Sequence, residues 1–242
     1  MIKKTMILLL IVTISSLYAV EPGDLSEQFH ELVDSWLNNE IDSANLKINI
    51  GHLEAKLLSE KESWENLYWL ARISLIRGQI YYENDEEDLS VAELERSQEL
   101  MGKSIAIHEH SDSWRIMSEA SSLIMIQKGF GYIILNVSRS QDQAEASLKL
   151  DPNNARASLI IAQFLTNAPF IAGGSVKKGI VLLEELSLRD HMIDEDEFFI
   201  WLTLSEALTK RKRHNEAEAA HQKAFSIYPN YKNGQTVRID GE

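Results

Sequence analysis

The segment FFIWLTLSEALTKRKRHNEAEAAHQKAFSIYP, residues 198–229, decides the fold. Large apolar residues recur at helical spacing in its first half, small residues recur in its second half, and a proline ends it. Large side chains fill the space between two helices, small ones let the backbones approach, and proline stops the second helix. This is a packing pattern and not a catalytic one. The residues that carry it are Trp201, Leu204, Ser205, Leu208, Ala217, His221, Ala224 and Pro229.

The same helical spacing recurs from residue 25 onward, with almost no strand alternation. The polar stretch Asn38–Asp42 separates two apolar helix faces, which predicts an antiparallel hairpin. A single hairpin cannot bury both faces, so a stack of such units is expected. The two faces are formed by Phe29, Leu32, Val33, Trp36 and Leu37 and by Leu46, Ile50, Leu53 and Leu57.

The chain resembles the tetratricopeptide repeat (TPR) family. Counted from Phe198, the packing residues occupy positions 4, 7, 8, 11, 20, 24, 27 and 32 of the ~34-residue repeat. Only His221 departs from the residue type usual at its position, and residues 147–155 resemble a junction between repeats. The resemblance implies an all-α, right-handed solenoid. HEAT-type repeats remain the alternative, because the average spacing is longer than in a TPR.

Counting the same repeat positions toward the N-terminus from Trp201 gives five units. Position 4 falls at Ser158, Trp114, Trp64 and His30, with gaps of 43, 44, 50 and 34 residues. Three units are therefore expanded, and about five antiparallel helix pairs span residues 25–230. The extra residues are predicted at 167–174 and 191–194. In the longest unit residues 83–88 form an acidic loop, and Ser90 with Glu93 resembles a capping box that opens the next helix.

The first nineteen residues differ from the rest. Lys3 and Lys4 precede an apolar run too short to span a bilayer, and Ala19 fits a signal-peptide cleavage site. We expect a signal peptide at 1–19, a solenoid domain at 20–232 and a polar tail at 233–242. The alternative is an uncleaved membrane anchor. The mature chain should be secreted, most simply to a bacterial periplasm, and without cysteine it carries neither disulfide nor acylated cysteine.

Charge excludes one class of partner. Removing Lys3 and Lys4 moves the net charge from −13 to −15. Such a balance repels phosphate backbones, so nucleic acid is not expected as a partner. No later segment is long and apolar enough to form a stable membrane span.

A second resemblance concerns the loop NAPFIAGGS, residues 167–175. Expanded TPR units with such a loop resemble the periplasmic TPR proteins associated with TRAP-type transporters. This resemblance implies an accessory role in solute transport, with contact to a solute-binding protein or a small ligand. Those proteins are typically lipid-anchored, and this chain has no cysteine to acylate.

The sequence gives little support for catalysis or metal binding. His108 and His110 are the densest histidine pair, but on a helix they would point about 200° apart. Residues 173–175 lack the Gly-x-x-x-x-Gly-Lys spacing of a phosphate-binding loop, so Ser175 is interpreted as a helix N-cap. The basic cluster at 210–214 complements a helix C-terminus, although an acidic partner would also fit it. We therefore predict no enzymatic activity, no cofactor and no metal.

Binding through the concave groove is the predicted function, since solenoids present such a surface. The partner is a protein or peptide, and a homo-oligomer is compatible with the sequence. In TPR proteins the groove positions correspond here to Trp69, Arg72, Arg115, Glu119, Arg156, Gln163, Asn167, Glu206 and Lys210. Their three arginines would form a basic stripe suited to carboxylates, or would merely pair with nearby glutamates. The apolar loop around Phe170 either packs on the neighbouring unit or contacts a partner.

Overall fold

The computed structural model describes residues 22–190 and 192–232. The predicted signal peptide and polar tail lie outside these residues. The described part is all-α, which confirms the predicted fold class, and it contains ten α-helices and one short 3-10 helix, η1. The helices are α1 Pro22–Leu37, α2 Ser43–Ser59, α3 Trp64–Glu83, α4 Glu87–Ile107, α5 Ser111–Lys128, α6 Phe130–Leu150, α7 Ala155–Asn167, η1 Phe170–Ala172, α8 Val176–Leu186, α9 Asp194–Lys210 and α10 His214–Ile227.

Consecutive helices form five pairs, and the first helices of pairs 2 to 5 lie side by side. Hydrogen bonds fix their direction. Asn154 at the start of α7 donates to Asp112 at the start of α5 at 3.0 Å, and Lys210 at the end of α9 donates to Thr166 O at the end of α7 at 3.2 Å. The first helices α5, α7 and α9 therefore run parallel. This arrangement is compatible with the predicted solenoid.

Small residues let the two helices of a pair approach closely, as the sequence pattern predicts. Ser205 Oγ donates to the carbonyl of Ala217 at 2.9 Å. A Cβ added at Gly179 would lie 2.4 Å from a methyl group of Thr166 and 3.3 Å from Ala162 O. Buried serines make the same kind of bond between α3 and α4, where Ser97 Oγ donates to Ala71 O at 2.8 Å.

Helix boundaries differ from the prediction in the longest unit. α3 and α4 have 20 and 21 residues, so part of the expansion lengthens the helices. The prediction that Ser90 and Glu93 form a capping box is wrong, because α4 already begins at Glu87. Ser90 lies inside that helix, where its hydroxyl is buried and donates to Gly78 O at 2.6 Å. A buried interhelical bond competes with capping for the same hydroxyl.

Two hydrophobic clusters form the core of the described part of the chain. One lies between α7, α8, α9 and α10, and the other joins α1 to α3, α9 and the segment after α10. Phe29 and Val33 on α1 are each only 1% exposed. The N-terminal helix and the C-terminal end of the described chain therefore share one core.

Candidate functional site

The predicted groove residues lie on the parallel helices α3, α5, α7 and α9 and at their ends. Most of them are covered. Trp69 and Glu119 are 9% exposed, and Arg72 and Arg115 are 7% exposed. Gln163 is half-buried and places its amide 3.4 Å from the hydroxyl of Thr203. The residues selected by their repeat positions therefore lie close together in the structure. Their role in partner binding stays a prediction.

The three arginines are neighbours, but acids neutralise them. Arg156 lies 2.8 Å from Glu119 and 2.9 Å from Glu195. Arg115 lies 3.1 Å from Glu119 and 3.3 Å from Asp112. These contacts match the alternative in which the arginines pair with acids. Arg115, Glu119 and Glu195 are buried, Arg156 is nearly so, and Asp112 is partly exposed.

Glu119 bridges two of these arginines and is the centre of the network. Burial opposes its ionisation, but Arg156 and Arg115 outweigh burial and lower the pKa of Glu119 to about 2. The same carboxylates raise the pKa of Arg115 and Arg156 against the effect of burial. Glu119, Arg115 and Arg156 are therefore ionised at neutral pH.

Arg72 extends the network toward α1. Its guanidinium lies 3.0 Å from His30 Nε2 and 4.0 Å from Glu195. It also stacks over the rings of Phe29 and Trp69, at 4.6 and 5.3 Å from their centroids. Burial, and then the charge of Arg72, lower the pKa of His30. A neutral His30 accepts the hydrogen bond that a charged one could not.

Helix α1 covers the groove. Besides its contacts with α3, it reaches the last unit: the hydroxyl of Tyr228 hydrogen-bonds Asp34, and the backbone N–H of Asn230 donates to Asn38 Oδ1 at 3.2 Å. A cavity of about 70 Å³ remains beneath α1. Its lining includes Trp36, Ile76, Tyr82, Arg156, Phe199 and Tyr231. Such a volume holds a few water molecules and is far below the ~300–1,000 Å³ of ordinary ligand pockets.

The loop between α7 and α8 is tightly built and displays Phe170 to solvent. The side chain of Phe170 is 90% exposed, so it does not pack on the neighbouring unit. The backbone N–H of Ser175 donates to Leu165 O at 2.7 Å, and a Cβ at Gly174 would lie 1.8 Å from Ala168 O. Ser175 accepts from Lys178 N at 3.4 Å, which confirms its predicted N-cap role.

Asn167, Glu206 and Lys210 are the predicted groove residues that remain exposed. Lys210 Nζ lies 2.5 Å from Asn167 Oδ1 and therefore ties the end of α9 to the end of α7. These residues stand at the rim, next to the Phe170 loop.

A surface of four rings was missed by the sequence analysis. His108, His110, Trp64 and Tyr68 meet between the start of α3, the end of α4 and the start of α5; we call them the ring surface. Trp64 lies 4.7 Å from His108 and 4.9 Å from His110, between ring centroids, and Tyr68 lies 5.3 Å from His110. His108 is exposed, Trp64 and His110 are half-buried, and Tyr68 is buried.

The two histidines share a face because they are not on a helix. His108 and His110 have φ of −149° and −146°, which is extended backbone, and residues two apart in extended chain point the same way. Their rings are 5.9 Å apart and inclined by 28°. The prediction that they diverge was therefore wrong, since it assumed helical geometry. Glu109 between them points away and accepts from Trp114 Nε1 at 2.8 Å.

His110 is held in place. Its Nε2 lies 2.7 Å from Ser113 Oγ. Burial is the main cause of its lowered pKa. Asp112 raises the pKa of His110, whereas His108 and Arg115 lower it further. The imidazole is therefore neutral at neutral pH and keeps lone-pair capacity. Within the described ranges no group of three or more histidine, cysteine or acidic side chains is placed to hold a bare metal ion.

Comparisons with known proteins give structural likenesses but no family. No protein-family model and no curated protein sequence matches the chain. Among solved structures, the HusA haemophore from Porphyromonas gingivalis is similar, with a TM-score of 0.52 and 16% sequence identity over 90% of this chain and 97% of that chain. At this identity the likeness concerns the fold alone. In the part of the chain that was searched, residues 22–190 and 192–232, no helix is long and apolar enough to cross a membrane.

Proposed function

We propose that this chain is a non-catalytic periplasmic binding protein whose ligand is a planar, aromatic, iron-bearing small molecule of the haem class, bound at the ring surface. The observation that carries the proposal is that His108 and His110 present their imidazoles on one face beside Trp64. The fold likeness to a haemophore supports the ligand class.

The chemistry of the ring surface suits such a ligand. Imidazole nitrogen is a common axial ligand of haem iron, and aromatic rings stack against a macrocycle. His108 is the exposed imidazole and would contact the iron. His110 is oriented through Ser113, as metal-binding histidines commonly are through a second partner. Trp64 supplies the apolar surface beside both.

The groove is less suitable for this ligand. Its cavity of about 70 Å³ is too small for a macrocycle, and α1 covers the buried aromatic side chains around it. Binding there would require α1 to leave, which would expose Phe29 and Val33. The ring surface needs no such rearrangement.

Titration with haemin tests the proposal. We expect a saturable shift of the porphyrin absorbance band, and His108→Ala should weaken binding by about tenfold or more, because a metal–imidazole bond is lost. His52→Ala is the matched control, since His52 is exposed on α2 away from the ring surface. Metal-free protoporphyrin should bind more weakly than haemin. Equal haemin affinity of the wild type and His108→Ala would contradict the assignment.

A second candidate is the predicted protein-partner function of the groove. One observation favours it: the groove already holds an amphipathic helix, α1, against Trp69 and Arg72. A partner helix could take the place of α1 by the same contacts, as in other helix-in-groove complexes. The transport-accessory alternative is the case in which that partner is a solute-binding protein.

A disulfide lock separates the two candidates. Asn38 and Asn230 are in contact, and the chain has no cysteine, so Asn38→Cys with Asn230→Cys gives a unique pair that fixes α1. A partner captured by crosslinking in the periplasm should bind the reduced protein and not the oxidised one. Haemin should bind both forms equally. A partner that binds both forms equally well would exclude the groove as its site.

A further inference from the structure

Four connections lie at one edge of the molecule, which we call the turn edge. They join the first to the second helix in pairs 2 to 5: residues 84–86, 129, 168–175 and 211–213. The first helices run parallel, so their C-terminal ends share this edge. Gln127 at the end of α5 also bonds Ser90 near the start of α4 at 2.9 Å, which places pairs 2 and 3 side by side there. The ring surface lies at the opposite edge.

Charge along the turn edge runs from negative to positive. Pair 2 presents four successive exposed carboxylates, those of Asp85, Glu86, Glu87 and Asp88. Pairs 4 and 5 present four exposed cations, those of Lys177, Lys178, Arg211 and Lys212. None of these eight side chains forms an ion pair with another described residue, whereas Arg213 is neutralised by Glu184 and Glu216.

Apolar side chains lie between the two charged ends. Leu135 in pair 3 is 80% exposed, Phe170 in pair 4 is 90% exposed, and Leu89 beside the acids is 49% exposed. The Phe170 loop is braced by backbone bonds, including Gly174 N to Pro169 O at 3.1 Å and Ala172 N to Pro169 O at 2.9 Å. Phe170 is thus held out by a rigid loop. Exposed apolar residues of this size within a polar rim are typical of an association surface.

We propose that the turn edge binds a second copy of this chain in a two-fold symmetric dimer. A two-fold axis through pair 3 places the acids of pair 2 in one copy opposite the lysines of pair 4 in the other, and the same contact occurs twice. Leu135 of both copies then lies at the axis, and Phe170 of each reaches Leu89 of the other. A self-complementary patch of this kind closes into a dimer and leaves no free end.

Charge complementarity favours a second copy over a membrane surface. The chain carries a net charge of −13, so an extended anionic surface repels most of it. A second copy instead presents its acids of pair 2 only to the lysines of pair 4. Opposite charges at the rim fix the register, and the apolar centre supplies the affinity.

Sedimentation velocity and light scattering on the purified secreted protein test this proposal over a wide range of concentration. We expect a dimer for the wild type and a monomer for Leu135→Asp with Phe170→Asp. Leu188→Asp is the matched control, because Leu188 is 82% exposed at the opposite edge, and it should remain dimeric. A wild type that stays monomeric at every concentration overturns the proposal, as does a dimer that the Leu135 and Phe170 substitutions leave intact.

A charge swap tests the register. Lys177→Glu with Lys178→Glu should weaken dimerisation by about tenfold or more. Adding Glu86→Lys and Glu87→Lys to the same chain should restore part of it, because these two lysines face the two new glutamates while Asp85 and Asp88 leave the acidic end with no net charge. If the lysine substitutions weaken dimerisation and the added lysines at 86 and 87 do not strengthen it again, the two-fold arrangement is contradicted. All substituted residues are exposed, and circular dichroism confirms that each variant is folded.

Discussion

Arg156 on α7 lies 2.8 Å from Glu119 on α5, and both side chains are buried among the first helices of the pairs. Glu195 accepts a second bond from the same guanidinium, at 2.9 Å. Arg156, which the sequence assigns to an open groove, thus binds the neighbouring units to one another. Removing one partner of such a pair leaves the other buried without a counter-charge.

Arg156→Ala should lower the free energy of unfolding by about 3–5 kcal/mol, since Glu119 and Glu195 lose their main partner. Urea denaturation followed by circular dichroism measures this. Arg139→Ala is the control: Arg139 is exposed on α6, and its loss should change stability by less than about 0.5 kcal/mol. Equal effects of the two substitutions would show that the buried network contributes nothing.

Stability should decrease as the pH falls from neutral toward acid because of His30. The folded state lowers the pKa of His30 below its usual 6.5, so the unfolded chain binds a proton first. The contribution of His30 is fully present above pH 6.5 and is lost as the pH falls toward the lowered pKa. His110 adds a change of the same sign. His30→Gln, whose amide oxygen can still accept from Arg72, should reduce the loss; an unchanged pH profile of the melting temperature would contradict this.

Tyr228→Phe should loosen α1 from the last unit. The phenol of Tyr228 donates to Asp34, whose pKa is raised by burial and held down only in part by this bond. The ring keeps its contact with Phe198 at 5.0 Å between centroids, so the change isolates the hydroxyl. We expect a loss of about 1–3 kcal/mol and faster hydrogen exchange of α1 amides. If the amides of α4 lose as much protection from hydrogen exchange as those of α1, the substitution has a global effect and the local explanation is wrong.

Gly174→Ala should distort the loop that presents Phe170. The added Cβ would lie 1.8 Å from the carbonyl oxygen of Ala168, and backbone atoms must move to make room. We expect a loss of stability of about 1–3 kcal/mol. Gly102→Ala provides the comparison, because a Cβ there meets nothing within 4 Å and the residue lies inside α4. Gly102→Ala should be neutral or stabilising; the same loss at both glycines would refute the steric explanation.

Local packing could be predicted from the sequence. Trp64 lies in the first helix of its unit and Ser205 packs against α10, as the repeat positions indicate, because helical spacing and small residues are signals within a few dozen residues. Ser175 caps α8 for the same reason. Ser90 was misassigned because a buried interhelical hydrogen bond, invisible to local pattern, uses its hydroxyl.

Long-range features could not be predicted. The bond between Asp34 and Tyr228 joins residues 194 positions apart, and no periodicity encodes it. Glu195 on α9 pairs with Arg156 on α7, a contact between two units that no local pattern in the sequence indicates. The shared face of His108 and His110 depends on α4 ending at Ile107, and helix ends are the least predictable feature of a sequence.

Crystals of the haemin complex, measured at the iron absorption edge, test the central claim most directly. Anomalous scattering locates the iron without reference to the rest of the ligand. The proposed site predicts one strong iron peak within bonding distance of a His108 ring nitrogen, with the macrocycle against Trp64. An iron peak in the groove beneath α1, or none bound to the chain, would contradict it.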